Sequence, residues 1–226
     1  IITEPQGHKM TIRELMSHTG GLSYGIFAAS PVDTKYVEAG LLDNGDTLEE
    51  FTTKLGQIPL KHQPGTTWEY SVSVDVQGYL VEKLAGQSFG SFLEERIFDP
   101  LRMTDTDFHV PEEKVSRFAQ VYGYDAEGKL EAGEGFPGAN FLVDPVFESG
   151  GGGLVSTAMD YMRFSQMVLN GGELDGVRIL APLTVDLMHR DQTPKTMNGS
   201  VLGARGTSFG LDFAVVEDPV EAESYS

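Results

Sequence analysis

The chain has no cysteine in its 226 residues, which excludes disulfides, thiolate metal sites and a cysteine nucleophile and leaves packing to hold the fold. The same absence suits cytoplasm and periplasm equally. Nor is there an apolar run of about 18 residues, or a charged segment leading into an apolar one, so neither a membrane span nor a signal peptide is read. The first residue is Ile1, which is compatible with removal of an upstream leader, so localisation stays open with the cytoplasm the favoured reading. Basic side chains are few: 16 Lys and Arg face 34 Asp and Glu, a net charge of −18. That charge repels phosphate backbones and anionic bilayers, so no nucleic-acid partner and no membrane partner is expected. What remains is 40% hydrophobic and 10% aromatic, enough for one globular domain over residues 1–226.

Helix signals dominate. Thr11 with Glu14, and Thr47 with Glu50, have capping-box spacing ahead of the apolar runs Ile12–Leu15–Met16 and Phe51–Leu55–Ile58. Residues 23 to 46 between them mix Gly, Pro, Asp and aromatics without clean period and read as irregular. From Ser73, Val76, Tyr79, Leu80 and Leu84 recur at helical spacing up to a stop at Gly86, and Gly78 inside this helix points to close packing. A further helix is read from Ser88 through Phe98. Strand character appears at Ala119 to Tyr124 before the turn Ala126-Glu127-Gly128, and residues 133–147 read as a long loop. Thr157 and Asp160 open a helix that Asn170-Gly171-Gly172 ends, Pro182 starts another, and Phe209 to Val216 alternates like one strand. Helices outnumber strands, which fits an α+β fold. Strand character returns just as the chain stops at Ser226, so a cut is expected there.

The most specific stretch is W-E-Y-S-V-S-V-D-V-Q-G, Trp68 to Gly78, preceded by H-Q-P-G-T-T. Together with M-T-I-R-E-L-M-S-H-T-G-G-L from Met10, F-L-E-E-R-I-F-D-P-L-R-M-T-D-T from Phe92 and G-G-G-L-V-S-T-A-M-D-Y from Gly151, it resembles the class C β-lactamase and family VIII carboxylesterase group, and the esterase branch most. The resemblance implies a β-lactamase/transpeptidase-like fold, here mostly its helical region with strand edges, without the N-terminal and C-terminal sheet parts. It implies that Tyr70 is the general base to a serine and then the acid for the leaving group. A phenol, whose reference pKa is about 10, takes that role only if neighbours stabilise its anion. The helix expected to start after it and a nearby lysine would do so.

The family's S-x-x-K serine does not occur in these residues and is expected upstream of Ile1. Its late K-T-G or W-G-G strand motif is absent too, since Lys195-Thr196-Met197 lacks the glycine. The segment by itself is therefore expected to be inactive, and, with an apolar helical face deprived of its sheet, to aggregate or need a partner. Within the resemblance Tyr24 is a candidate wall of the substrate pocket. Val72 stands where class C β-lactamases carry an asparagine that binds the acylamino group, so an ester with an apolar acyl group is favoured over a lactam. Acyltransferase activity stays open, because water and an alcohol attack the same acyl-enzyme.

Two other readings stand beside this one. Gly21-Leu22-Ser23-Tyr24-Gly25 fits G-x-S-x-G with His62, His109 and His189 as formal triad partners, although a helical pattern precedes Ser23 and a loop follows. The segment could also serve as a non-catalytic binding module. No cofactor is implied, and His18, His109 and Asp43 to Asp46 lack metal-ligand spacing. Gly150 to Gly153 reads as a tight loop feeding the helix at Thr157, not as a phosphate loop, because no Gly-Lys-Ser/Thr follows. The expected partner is a small-molecule ester; oligomeric state is undecided.

Overall fold

The computed structural model describes residues 2–26, 30–43, 45–133, 140–195 and 201–224, with the Leu202 side chain left out. Residues 134–139 of the expected long loop, and Thr196-Met197, lie outside them.

Helix α1 (Ile12–Met16) opens on the expected capping box: Glu14 N–H donates to Thr11 Oγ1, and the Glu14 carboxylate accepts the Thr11 N–H. Helix α2 (Pro31–Glu38) corrects the reading of 23–46 as irregular. Ser30 and Asp33 form a capping box around Pro31 at the first helical position, where a missing N–H costs nothing. Helix α3 (Leu48–Leu55) repeats the box at Thr47 and Glu50.

Helix α4 (Ser73–Ala85) carries the segment's most specific motif and ends at Gly86, whose φ of 70° only glycine adopts cheaply. At Gly78 a Cβ would stand 3.1 Å from the Phe89 ring and 3.4 Å from Leu48, so the missing side chain is what lets those two press onto α4. The helix expected from Ser88 through Phe98 is present, capped by Ser88 and running on to Leu101, with a π-helical turn inside it. After α5 (Phe89–Leu93) the chain widens into a π-helical turn, Glu94–Phe98, and then α6 (Asp99–Leu101). That turn leaves Phe98 and Leu101 both buried. A 3₁₀ turn follows at Glu112–Arg117.

Strand β1 (Tyr122–Tyr124), shorter than expected, pairs antiparallel with β2 (Leu130–Ala132), and all six residues are exposed. Helix α7 (Ala158–Leu169) is capped by Thr157 and stopped at Asn170-Gly171-Gly172; β3 (Glu173–Leu174) and β4 (Val177–Arg178) make a small hairpin before α8 (Pro182–Met188). The single strand expected over 209–216 is instead a hairpin of β5 (Thr207–Phe209) and β6 (Ala214–Val216). The chain reverses between them because Gly210 sits where a Cβ would lie 1.9 Å from the Met188 carbonyl, and Asp212 takes φ 59°.

Two hydrophobic clusters hold these elements. The first gathers Leu15, Leu22, Tyr36, Leu48, Phe51, Val72 and Phe89 from α1 to α5 with Phe108 and Phe147 from the later loops. The second joins Phe98, Leu101 and Met103 to Met167 and Val168 of α7 and Val185 of α8. Among the described residues no helix is long and apolar enough to cross a membrane.

Candidate active site

Tyr70 lies in a loop three residues ahead of the start of α4. Its backbone is laced to the segment after α1: Glu69 N–H donates to the His18 carbonyl at 2.9 Å, and Val72 N–H to the Ser23 carbonyl at 3.2 Å. Gly65 N–H and Lys61 N–H reach back in the same way to Thr19 and Gly21. Residues 61–72 therefore run along 18–23 like a seam, and both neighbours of the segment Tyr70-Ser71 are pinned.

Against the ring of Tyr70, 5.0 Å between centroids and tilted to it, is His18, which also meets Trp68 and Phe209 edge-on. His18 is buried, and burial lowers its pKa to about 4, so the imidazole is neutral near pH 7. Its Nδ1 accepts the Ser71 N–H at 3.2 Å, which makes Nδ1 the unprotonated nitrogen. The histidine set aside for want of metal-ligand spacing is thus the buried support of the tyrosine segment. H-T-G-G-L was the available signal, but its partner lies about fifty residues on.

Tyr24 stacks on Tyr70, with centroids 5.5 Å apart and planes 12° from parallel. Burial, with the Asp75 charge nearby, raises the Tyr24 pKa far above its ordinary value, so Tyr24 stays a neutral phenol. Both tyrosines line a cavity of about 490 Å³, and Ile26, Leu42, Phe108, Phe141, Val146 and Phe147 supply much of its apolar wall. Gly151, Gly152 and Gly153 close one side. Asp75, buried in the first turn of α4, holds that side in place by accepting the Ser149 hydroxyl at 2.6 Å and the Gly151 N–H at 3.1 Å. A Cβ on Gly150 would meet the Val74 carbonyl at 2.4 Å, so only glycine lets the loop lie this close to α4. The loop feeds α7 through Thr157, as its sequence implied, and also forms a cavity wall, which its sequence did not imply.

Val72 is placed differently from the expectation. It is wholly buried in the first hydrophobic cluster and is not among the residues lining the cavity. Its backbone N–H, tied to Ser23, is its contribution to the site.

Ser23 lacks the setting of a nucleophile elbow. Coil, not strand, precedes it and coil follows. It is buried, and its hydroxyl donates to Asp33 Oδ1 at 2.5 Å, with Glu69 Oε1 at 3.2 Å, where a triad would place a histidine. Lys61 bridges the same two carboxylates and His62 Nε2 meets Glu69 Oε2 at 2.6 Å, so the cluster is an internal ionic network. Among the described residues no group of three or more His, Asp or Glu is arranged to hold a metal.

The chain matches the family described as "Beta-lactamase" over residues 2–221. Among similar proteins, Protein Rv1367c of Mycobacterium tuberculosis is 36% identical over 224 residues, covering 97% of this chain and 55% of that protein. Esterase EstB of Burkholderia gladioli is 31% identical over 230 residues, covering 94% of this chain and 56% of the esterase. A solved structure titled "EstCE1, a hydrolase with promiscuous acyltransferase activity" superposes with a TM-score of 0.73 at 27% identity, covering 95% of this chain and 58% of that one. The chain thus spans about half the length of the curated relatives it matches. With a family match across nearly its whole length and the same fold in its structural neighbours, the chain belongs to the Beta-lactamase family of serine hydrolases and acyltransferases and has the β-lactamase/transpeptidase-like fold.

Proposed function

We propose that the intact protein containing this chain is a serine hydrolase that cleaves carboxylic esters through an acyl-enzyme, with Tyr70 as the general base. The observation that carries this reading is the placement of Tyr70: in a pinned segment before α4, lining a largely apolar cavity. The nucleophile would be the serine of an S-x-x-K motif outside these residues. Tyr70 takes the proton of that serine while the serine oxygen attacks the ester carbonyl; the tetrahedral intermediate then collapses and the departing alkoxide takes the proton from Tyr70. Water, giving its proton to the same tyrosine, attacks the acyl-enzyme and releases the acid as the serine oxygen takes that proton back, and an alcohol in place of water gives acyl transfer. Tyr24, a neutral phenol stacked on Tyr70, serves as pocket wall and keeps the base ring from tilting. The names of Esterase EstB and of the hydrolase with acyltransferase activity support an ester-directed chemistry.

The test is Tyr70→Phe in the intact protein, which removes the hydroxyl and keeps the stacked ring. Turnover of p-nitrophenyl butanoate is expected to fall by roughly 100-fold to 10,000-fold, the usual loss on removing a general base, with the far-UV spectrum unchanged. Ser23→Ala is expected to keep most of the rate. An enzyme silenced by Ser23→Ala and active with Tyr70→Phe would overturn the assignment in favour of the G-x-S-x-G reading.

A further inference from the structure

We infer that Lys61 is a positioning residue for the tyrosine base: it clamps the carboxylate of Glu69, the residue before Tyr70, to that of Asp33 in the first turn of α2, and so fixes Tyr70 against Tyr24. This rests on the Tyr70 reading above. Stacking of the two rings 5.5 Å apart needs their two segments held to one support, and α2 is that support. It holds the Tyr24 segment through Tyr36, whose hydroxyl oxygen accepts the Ser23 N–H at 3.2 Å. It holds the Tyr70 segment through Asp33, which lies 3.3 Å from Lys61 Nζ, while the same ammonium donates to Glu69 Oε1. All of these side chains belong to this chain and touch one another directly, so the clamp does not wait on the segments that bring the serine.

Charge gives the clamp its direction. Asp33 is 2% exposed and is anchored by the Ser23 hydroxyl, the Ser30 N–H and Lys61. The Glu69 side chain is 22% exposed, and its other oxygen meets the more exposed His62 Nε2 at 2.6 Å. Without the ammonium, two poorly hydrated carboxylates are left facing each other, and like charges so placed repel. Asp33 cannot leave its anchors cheaply, so Glu69 is the one that swings away, and it takes the backbone before Tyr70 with it. A displacement of about 1 Å at a reacting group is enough to cost about 100-fold in rate. Burial opposes the charge on Lys61, but Glu69 and Asp33 outweigh it and raise its pKa, and Asp33, against its own burial, is held at about 2. Lys61 and Asp33 therefore stay charged throughout the pH range of an ester assay, and the effect of the clamp is one of position, not of titration.

The experiment follows turnover of p-nitrophenyl butanoate by the intact protein carrying Lys61→Met, Lys61→Arg or Glu69→Gln. Lys61→Met and Glu69→Gln are also combined with Tyr70→Phe, whose residual rate is read at high enzyme concentration. Lys61→Met is expected to lower kcat by about tenfold to 100-fold with KM changed by less than about twofold. Lys61→Arg, which keeps a cation between the carboxylates, is expected to hold kcat within about fivefold of wild type. Glu69→Gln keeps the size of the side chain and serves if Lys61→Met does not fold; it is expected to lower kcat by about threefold or more. On Tyr70→Phe neither substitution is expected to lower the rate by more than about twofold, because a residue that acts through the Tyr70 hydroxyl has nothing left to position once it is gone. A kcat within about twofold of wild type in the folded variants, a loss confined to KM, or the same loss with and without the Tyr70 hydroxyl would overturn the inference. If Tyr70→Phe silences the enzyme while any of those results is found, the clamp fails alone. If Tyr70→Phe leaves turnover intact, the mechanistic reading fails and takes the clamp with it.

Discussion

Replacing Asp33 by asparagine tests whether the ionic network behind Tyr24 holds the site together. Asp33 is 2% exposed. Burial alone would raise its pKa, but the Ser23 and Ser30 hydroxyls, the Ser30 N–H and Lys61 together outweigh that effect and set the carboxyl at about 2. Measured against an unfolded value near 3.8, and at about 1.4 kcal/mol per pH unit, the folded chain gains about 2 kcal/mol from the charged form. Because the folded pKa is the lower one, this stability is fully present above about pH 5. It is lost as pH falls from about 4 through 2. Asparagine removes the charge and turns an N–H₂ toward donors, so Asp33→Asn should cost about 2–4 kcal/mol at pH 7. By pH 3 the wild-type carboxyl contributes only about 1 kcal/mol through its charge, and the penalty should shrink by a similar amount. Urea unfolding of the intact protein followed by far-UV circular dichroism at pH 7 and pH 3 measures both quantities. A penalty equal at the two pH values would show that packing, and not charge, is what Asp33 supplies; a penalty under about 0.5 kcal/mol at pH 7, below that of an ordinary hydrogen bond, would remove the network from the account altogether.

Two further outcomes are expected. Phe51→Ala, at a wholly buried ring packed on Phe147 at 5.1 Å, should cost about 3–5 kcal/mol in chemical denaturation, and a cost under about 1 kcal/mol would mean that the first cluster is not a single packed core. Gly150→Ala sets a methyl 2.4 Å from the Val74 carbonyl, so it should cost about 1–3 kcal/mol and lower the turnover of p-nitrophenyl butanoate by the intact protein. Unchanged thermal stability and unchanged rates would refute the close approach of that loop to α4.

Local chemistry made much of the fold readable in advance. Thr11–Glu14, Thr47–Glu50 and Thr157–Asp160 are spaced so that side chain and backbone satisfy one another within a single turn, and the helices start there. Ser30-Pro31 with Asp33 carried the same information and went unread, because the surrounding Gly and aromatic residues masked a helix with little apolar period. Alternation over 209–216 was real, but a reversal at Gly210 to Phe213 leaves period two intact on both arms, so pattern alone could not tell one strand from a hairpin. At the site, Tyr70 and Tyr24 stood in legible motifs and do share a cavity. Val72 was placed by its sequence neighbour, and its burial was decided by packing against residues far along the chain. The pairings of Ser23 with Glu69, of Lys61 with Asp33 and of His18 with Ser71 join segments distant in the chain, which no spacing rule encodes.

That seam also separates two kinds of change the site can undergo. Tyr70 is held by residues 18–23 through backbone hydrogen bonds, whereas the cavity wall at 140–153 reaches α4 through Asp75 and the glycine contacts. Tyrosine and wall therefore hang from different parts of the chain and meet at one helix end. Exposed wall positions such as Val143 and Val146 can exchange side chains without disturbing a single bond that orients the tyrosine. Selection, natural or in the laboratory, can thus reshape the cavity wall while the setting of Tyr70 is inherited unchanged, and libraries confined to 141–147 should yield well-folded variants far more often than libraries of equal size at 18–24.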